Sequence, residues 1–243
     1  MVAVIKLLID SSSHAHAIAV ISKLAFSGDP IDRWLTVKDH EPYSNEDDIP
    51  SLQLERDIRD IVHQIIQPGV VVVTARIDDQ VAGVAVWLIP RLHWSVEILS
   101  QFFHRKCLEY KDKFEDWWYP KAWVHSDREQ LIRTLRIKYA NEHLGNGELE
   151  KTWYLKTLAV LPALQRKGVG TALVKWGMEQ AAPHGEKVYV DSSYVGKPMY
   201  AKLGFKEVGG FVVGDSGVRV SCMLWDSNKK DIEESPSHEN VPS

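Results

Sequence analysis

Residues 153–178 constrain the fold of this chain more than any other stretch. They begin with an apolar run that includes β-branched residues, 154–160, which predicts a buried strand. Pro162 ends that strand, because proline has no N–H to donate to a sheet ladder. From Val169 onward, apolar residues recur at helical spacing. The pattern therefore predicts a strand, a glycine-containing loop and then the N-terminus of a helix.

The loop before this helix has the composition of an anion site. The first N–H groups of a helix have no intrahelical partner and carry about half a positive charge, which suits a phosphate. Gly168 and Gly170 let the backbone approach an anion without an intervening Cβ, and Arg166 and Lys167 add positive charge. We therefore expect a phosphorylated ligand at residues 165–171.

Two common phosphate motifs do not fit this loop. A dinucleotide fingerprint needs Gly or Ala where Leu173 stands, and the P-loop string GxxxxGK[ST] does not occur. An ordinary strand–helix unit with a glycine turn is the alternative at this point.

A pair of motifs indicates a family. Gln165, Gly168 and Gly170, which follow the strand ending Leu-Ala-Val, resemble motif A of the GCN5-related N-acetyltransferases, the GNAT superfamily. Downstream, residues 198–205, Pro-Met-Tyr-Ala-Lys-Leu-Gly-Phe, resemble motif B, commonly written Leu-Tyr-x-x-x-Gly-Phe. The motifs stand in the family's order and at a normal distance, so the chain is identified as a member.

The resemblance implies the GNAT fold. This is an α/β (α+β) domain with a mixed, mostly antiparallel sheet of about seven strands, splayed parallel central strands and flanking helices. The patterns along the chain predict strands over 2–9, 70–77, 81–89, 187–190, 206–213 and 218–225, and helices over 14–26, 51–67 and 197–203. We expect one domain over residues 1–225 and a disordered polar tail over 226–243.

Residues 91–150 depart from a minimal acetyltransferase. They predict a helical insertion between strands 3 and 4 that packs on the same core. Within it, residues 126–129, Ser-Asp-Arg-Glu, predict a capping box that opens a helix ending near Gly145. Aromatic residues of the insertion either line the acceptor site or pack in the core.

The resemblance also implies a cofactor and the residues that hold it. It implies acetyl-coenzyme A as co-substrate and no metal. It places the pantetheine arm along the motif A strand, the pyrophosphate on the following loop, and Ser193 beside the arm. The implied strand and loop positions are Leu158, Ala159, Val160, Gln165, Arg166, Lys167, Gly168, Val169, Gly170 and Thr171. Tyr200 matches the motif B tyrosine, which acts as general acid towards the departing thiolate.

The acceptor side is less determined. In the GNAT fold the region after the first helix borders the acceptor pocket, and here residues 26–49 carry an excess of acids, which favours a cationic amine. The expected substrate contacts are Phe26, Asp29, Trp34 and Tyr154. Relatives place a Glu or His base on the motif A strand, where Tyr154 and Lys156 stand. The base therefore stays open among Asp191, Glu97, His93 and an acid within 29–41.

Composition limits the partners and the compartment. The net charge of −4 gives no case for nucleic acid, and the two cysteines imply no disulfide framework and a reducing compartment. The apolar start is too short for a membrane span and lacks a signal-peptide pattern. We expect a cytoplasmic monomer or homodimer without a membrane partner.

The resemblance implies an acetyl-CoA-dependent N-acetyltransferase in which a small-molecule amine attacks the thioester directly. A protein or peptide N-acetyltransferase and a catalytically silent acyl-CoA-binding module are the alternatives.

Overall fold

The computed structural model describes residues 6–9, 14–36, 42–65, 67, 69–90 and 125–229. The helices within these ranges are α1 Ala15–Phe26, α2 Pro30–Leu35, α3 Ser51–Ile65, α4 Ser126–Leu144, α5 Val169–Ala181 and α6 Lys197–Lys202. The strands are β1 Lys6–Ile9, β2 Val70–Ile77, β3 Gln80–Leu88, β4 Trp153–Val160, β5 Lys187–Ser192, β6 Lys206–Val212 and β7 Arg219–Asp226.

The strands form one seven-stranded sheet in the order β1-β2-β3-β4-β5-β7-β6. Every neighbouring pair is antiparallel except β4 and β5, which run parallel. The predicted fold class is confirmed. The hairpin between β2 and β3 turns at Asp78 and Asp79, whose φ angles of 50° and 61° suit a tight hairpin turn.

The two parallel strands part in the middle of β4. Their pairing runs from Trp153 with Val188 to Leu155 with Val190 and stops there, although β4 continues to Val160. On the other side of β4, Thr157 pairs with Val86 and Leu155 pairs with Trp87, so Lys156 is the extra residue of a β-bulge. Because a bulge bends its strand and increases its twist, β4 leaves β5 at this residue.

The two faces of the sheet are covered by different helices. On one face, Val169, Leu173 and Val174 of α5 pack against Trp87 and Leu155. On the other face, Ile132 and Ala140 of α4 pack with Tyr154, Tyr189 and Phe211, and Ile18 and Ile21 of α1 pack with Val72 and Val84. The parting of β4 and β5 therefore lies between α5 on one side and α1, α2 and α4 on the other.

The predicted capping box of α4 is wrong. Ser126 is the first residue of the helix, and His125 precedes it without a side-chain capping hydrogen bond. The start of α4 is fixed by long-range contacts instead: the His125 N–H donates to the Leu35 carbonyl (2.9 Å) and the Arg128 guanidinium donates to the Trp34 carbonyl (2.6 Å). The predicted end near Gly145, which has φ of 101°, is confirmed.

Several further expectations need correction. The composition of residues 26–49 predicts a loop, but residues 30–35 form α2, because Asp29 caps the Ile31 N–H (2.7 Å) and Pro30 occupies the first turn. In α3, Leu54, Ile58, Ile61 and Ile65 stand at the helical spacing that predicts burial, and all four are half-buried, with Ile61 and Ile65 packed against the cluster of Ile18 and Ile21. The fully buried side chains of this helix are Gln53 and Arg56. Residues 191–193, Asp-Ser-Ser, predict a turn, but Asp191 and Ser192 extend β5 instead.

Three predictions fall on residues outside the described part of the chain. Asp10 and the serines after it, whose residue types predict a cap for the first helix, lie there. So do the aromatic-rich first part of the insertion, residues 91–124, and the tail, residues 230–243.

We predict that Gly177→Ala lowers the free energy of unfolding by roughly 2 kcal/mol, because overpacking outweighs the gain of about 1 kcal/mol in helix propensity. A Cβ on Gly177 would lie 2.5 Å from Cη2 and 2.7 Å from Cε2 of the buried Trp87 ring. Denaturant unfolding measures the change. The matched control is Gly170→Ala on the same helix, where the new Cβ meets its neighbours at 3.5 Å or more and stability should not fall. Equal stability of the two variants would show that Trp87 does not lie against this helix.

Candidate active site

A cavity of about 350 Å³ opens where β4 and β5 part. Its walls come from residues 155–158 of β4, residues 190–193 at the end of β5, Met199 and Tyr200 of α6, Phe26 and the α2 segment, Arg136 of α4, Gly196 and Val220. The cavity thus extends from the gap between β4 and β5 to the side of the sheet that is covered by α1, α2 and α4.

The N-terminus of α5 forms an open corner beside this gap. Gly168 caps the helix with φ of 88°, and no heavy atom lies within 4 Å of the position where its Cβ would stand. The first backbone hydrogen bond runs from the Ala172 N–H to the Gly168 carbonyl (2.9 Å). The N–H groups of residues 169–171 therefore have no carbonyl within the helix to donate to.

The loop that leads into this corner is exposed and held to the strand. Residues 165–168 are exposed, and Arg166 adopts a left-handed conformation with φ of 61°. The Gln165 amide donates from Nε2 to the Val160 carbonyl (3.2 Å). Two basic side chains, Arg166 and Lys167, thus stand beside the open N–H groups.

Val169 and Gly170 face the protein interior. The Val169 side chain is buried in the core. A Cβ on Gly170 would meet Met199 Sδ at 3.5 Å and Leu158 Cδ2 at 3.7 Å. These residues can therefore serve an anion only through their backbone, and a bulky side chain at Gly170 would disturb packing as well as binding.

Tyr200 stands in the wall of the cavity on α6. Only 5% of this residue is exposed, and its ring packs edge-on against Phe205 with centroids 5.5 Å apart. Burial raises the pKa of the Tyr200 hydroxyl, so the group carries its proton at neutral pH.

Asp191 lies at the end of β5 within a cluster of hydrogen-bond donors. Its Oδ2 accepts from the Tyr154 hydroxyl (2.8 Å), and its Oδ1 accepts from the Tyr189 hydroxyl (3.0 Å) and from Cys222 Sγ (3.7 Å). Arg136 Nε lies 3.8 Å from Oδ2. Burial raises the pKa of the Asp191 carboxyl, and the Tyr154 hydrogen bond and the Arg136 charge offset this only in part.

Lys156, the bulge residue, faces the same cavity. Its Nζ donates to Gln64 Oε1 of α3 (3.3 Å). Burial lowers the pKa of the Lys156 ammonium, and the charges of Arg133 and Arg136 lower it further. The cavity therefore presents both carboxylates and cations.

Among the described residues, no group of three or more His, Cys, Asp or Glu side chains is placed to hold a metal ion. None of the described helices is long and apolar enough to cross a membrane.

The family comparison agrees with this geometry. Residues 91–205 match the model of the acetyltransferase (GNAT) family. A curated acetyltransferase from Stachybotrys chartarum is 38% identical over 96 residues, and the alignment covers 37% of this chain and 40% of that relative. The chain contains a GNAT acetyltransferase domain.

Solved structures share the GNAT fold. A polyamine N-acetyltransferase of Drosophila melanogaster is 10% identical with a TM-score of 0.55, covering 92% of this chain and all of the other. A mosquito arylalkylamine N-acetyltransferase-like protein is 14% identical with a TM-score of 0.54 and the same coverage. A Corynebacterium glutamicum protein, described as histone acetyltransferase HPA2 and related acetyltransferase, is 19% identical with a TM-score of 0.53, covering 90% and 94%. At these identities the likeness is one of fold.

The structure brings only some of the expected GNAT cofactor residues into the cavity. Leu158 and Ser193 line it, whereas Ala159 and Val160 lie outside its described lining. Ala159 is buried, and Val160 is half-buried. The Ser193 hydroxyl accepts the Gly196 N–H (3.3 Å), which shapes the turn into α6.

Two of the four expected substrate residues line the cavity. Phe26 and Asp29 line the cavity, but Trp34 and Tyr154 lie outside its described lining. Trp34 holds elements together instead: its Nε1 donates to Asp215 Oδ1 (2.6 Å), and the Arg128 guanidinium stacks on its ring at 4.9 Å. Tyr154 acts on the site indirectly, through its hydrogen bond to Asp191.

Sequence reasoning missed several lining residues. They are Leu35, Arg136, Thr157 and Val220. Leu35 belongs to a helix that was not predicted, and no sequence signal shows that Arg136 reaches the end of β5. Among the open candidates for the base, Asp191 lines the cavity, whereas Glu97 and His93 lie outside the described residues.

Proposed function

We propose that this protein is an acetyl-CoA-dependent N-acetyltransferase that acts on a small cationic amine. The observation that carries the proposal is the cavity in the gap between β4 and β5, with the open corner of α5 beside the gap and Tyr200 in its wall. Acetyl-CoA supplies an activated acetyl group as a thioester, so the protein must hold the two substrates and manage protons.

The open corner of α5 fits the diphosphate of coenzyme A. The backbone N–H groups of residues 169–171 point away from any intrahelical partner, and the space at Gly168 is empty of side chains. Arg166 and Lys167 supply charge of the opposite sign to a phosphate. Residues 156–158 have left β5 and so leave backbone groups for an extended arm in the gap.

The cavity size and its charges favour a small amine as acceptor. A volume of about 350 Å³ suits a ligand of small-molecule size. Three carboxylates, Asp29, Asp32 and Asp191, outnumber the two cations, Lys156 and Arg136, in its walls. Two proteins of the same fold are named for polyamine and arylalkylamine substrates, which is the same broad class.

Tyr200 is placed to protonate the departing thiolate. It lines the cavity next to the end of β5, and burial raises the pKa of its hydroxyl, so that the proton is present at neutral pH. A tyrosine general acid contributes about 100- to 10,000-fold to a proton-transfer step.

The first prediction concerns the diphosphate. Gly168→Asp should weaken coenzyme A binding at least about tenfold more than Gly168→Asn, because only the aspartate adds a negative charge next to the phosphate. The two side chains have nearly the same size, and both tolerate the left-handed backbone of this position better than most residues. Titration calorimetry with coenzyme A measures the affinity, and melting temperatures check the fold. Equal affinities of the two variants would place the diphosphate elsewhere.

The second prediction concerns Tyr200. Tyr200→Phe keeps the ring contact with Phe205 and removes the hydroxyl, so kcat should fall about 100-fold or more. The affinity for coenzyme A should change by less than about threefold, because the hydroxyl acts on the proton and not on the bound cofactor. An unchanged kcat would assign Tyr200 to packing.

The third prediction concerns the acceptor. A thiol-release assay with acetyl-CoA should show turnover with small cationic amines, from a panel of polyamines, arylalkylamines, amino sugars, amino acids and peptides. Turnover with peptides only would favour a protein N-acetyltransferase. Tight coenzyme A binding without turnover on any amine would favour a silent acyl-CoA-binding module.

A further inference from the structure

We infer that Asp191 is the carboxylate that receives the acceptor ammonium and takes up its proton, and that Tyr154 and Arg136 are positioning residues for it. This inference rests on the proposed function and adds the identity of the proton acceptor.

Asp191 stands at the point where an acceptor would meet the gap. The last paired residue of β5 is Val190, so Asp191 is the first residue of that strand beyond the parting from β4. Its side chain is 3% exposed and belongs to the wall of the cavity that also contains Leu158 and Tyr200. A buried carboxylate therefore shares one cavity wall with Leu158, beside the proposed path of the pantetheine arm, and with the proposed general acid Tyr200.

The donors around Asp191 fix its orientation. Burial, and then the charge of Asp191, raise the pKa values of the Tyr154 and Tyr189 hydroxyls, so both stay protonated and donate. Tyr189 and Cys222 both contact Oδ1. Oδ2 is held by Tyr154 of β4, and Oδ1 is held by Tyr189 of β5 and Cys222 of β7. Because both oxygens are held, the carboxylate cannot rotate freely.

The same geometry leaves Oδ2 able to accept a further hydrogen bond. Among the described residues, the Tyr154 hydroxyl is the one donor within hydrogen-bond distance of Oδ2, and Arg136 Nε at 3.8 Å is beyond it. A carboxylate oxygen accepts two hydrogen bonds. The second acceptor position of Oδ2 is thus available to an ammonium N–H, whereas Oδ1 already has two partners.

The charges around the cavity favour proton transfer to Asp191. Burial raises the pKa of its carboxyl, and an ammonium ion that enters the cavity loses water and comes near Arg136 and Lys156, which lowers the pKa of the ammonium. The two opposite shifts reduce the free-energy cost of moving the proton. Asp29, which caps α2, and Asp32 of α2 line the same cavity and attract a cation into it.

The proton balance is complete. An N–H bond of the ammonium breaks, an O–H bond forms on Asp191, and the freed lone pair on nitrogen attacks the thioester carbonyl. As the C–S bond breaks, Tyr200 gives its proton to the departing thiolate. The nitrogen loses its second proton to water, and water returns one proton to the Tyr200 oxygen. Asp191 then releases its proton to water, so each turnover yields amide, thiol and one proton.

The test is the pH dependence of kcat/KM for the acceptor in Asp191→Asn. The amide keeps the shape of the side chain and cannot take up the proton. We expect the wild type to lose activity at acidic pH as Asp191 is protonated. In Asp191→Asn, kcat/KM should fall at least about 100-fold and this acidic loss should disappear. Coenzyme A affinity should stay within about threefold of the wild-type value. The matched control is Asp79→Asn in the β2–β3 turn, where φ of 61° suits asparagine, and it should leave the profile unchanged.

Tyr154→Phe gives a second measurement that does not remove the carboxylate. Loss of a hydrogen bond to the charged form raises the pKa of Asp191, so the acidic limb of the profile should move to higher pH while activity at its plateau is largely kept. A purely structural role of this cluster would lower stability and leave the limb in place. If Asp191→Asn does not fold, the pH of the acidic limb in Tyr154→Phe decides whether Asp191 takes up the proton.

The outcomes separate the two claims. An active wild type in which Asp191→Asn keeps its kcat/KM, or loses affinity for the amine while keeping the acidic limb, overturns the inference and leaves the proposed function standing. A wild type that binds coenzyme A and acetylates no amine of the panel overturns the proposed function itself.

Discussion

The site depends on one break in the sheet. Parallel pairing between β4 and β5 lasts for three residue pairs and ends at the bulge residue Lys156. A continuous parallel ladder would have used the backbone groups of β4 for pairing and left no gap. Because the bulge turns β4 away, residues 156–158 and 191–193 become walls of a cavity. In the proposed reaction, the acetyl-CoA arm and the acceptor amine meet in this cavity.

The elements on the two sides of the gap differ in the charge of the ligand that they favour. The α5 corner offers backbone N–H groups and basic side chains, which suit a diphosphate. The opposite side offers carboxylates from α2 and β5, which suit an ammonium. Opposite charge preferences at the two sides would orient two substrates in one cavity. The buried Tyr200 and Asp191, the proposed proton donor and proton acceptor, both lie in its wall.

The insertion helix α4 is the least expected contributor. Its packing face, with Ile132 and Ala140, covers Tyr154 and Tyr189 of the central strands. The same helix holds α2 through the contacts of Arg128 with Trp34 and brings Arg136 to Asp191. It therefore supports both the carboxylate of β5 and the acidic segment that lines the cavity.

Local patterns were enough to predict much of this arrangement. The strand–loop–helix of residues 153–178 and the glycine and tyrosine positions follow from short-range periodicity and two motifs, and the structure has the predicted sheet. What failed depends on contacts between distant residues. The start of α4 is set by Leu35 and Trp34, and the partners of Asp191 come from three strands and a helix. No residue spacing within the sequence predicts such contacts between distant residues.

The most direct test of the account is a crystal structure of the protein with coenzyme A bound. We predict that diphosphate oxygens lie within hydrogen-bond distance of the N–H groups of residues 169–171 and that the pantetheine arm runs between β4 and β5, past Leu158. A diphosphate bound elsewhere, or an arm that avoids the gap between these strands, would contradict it.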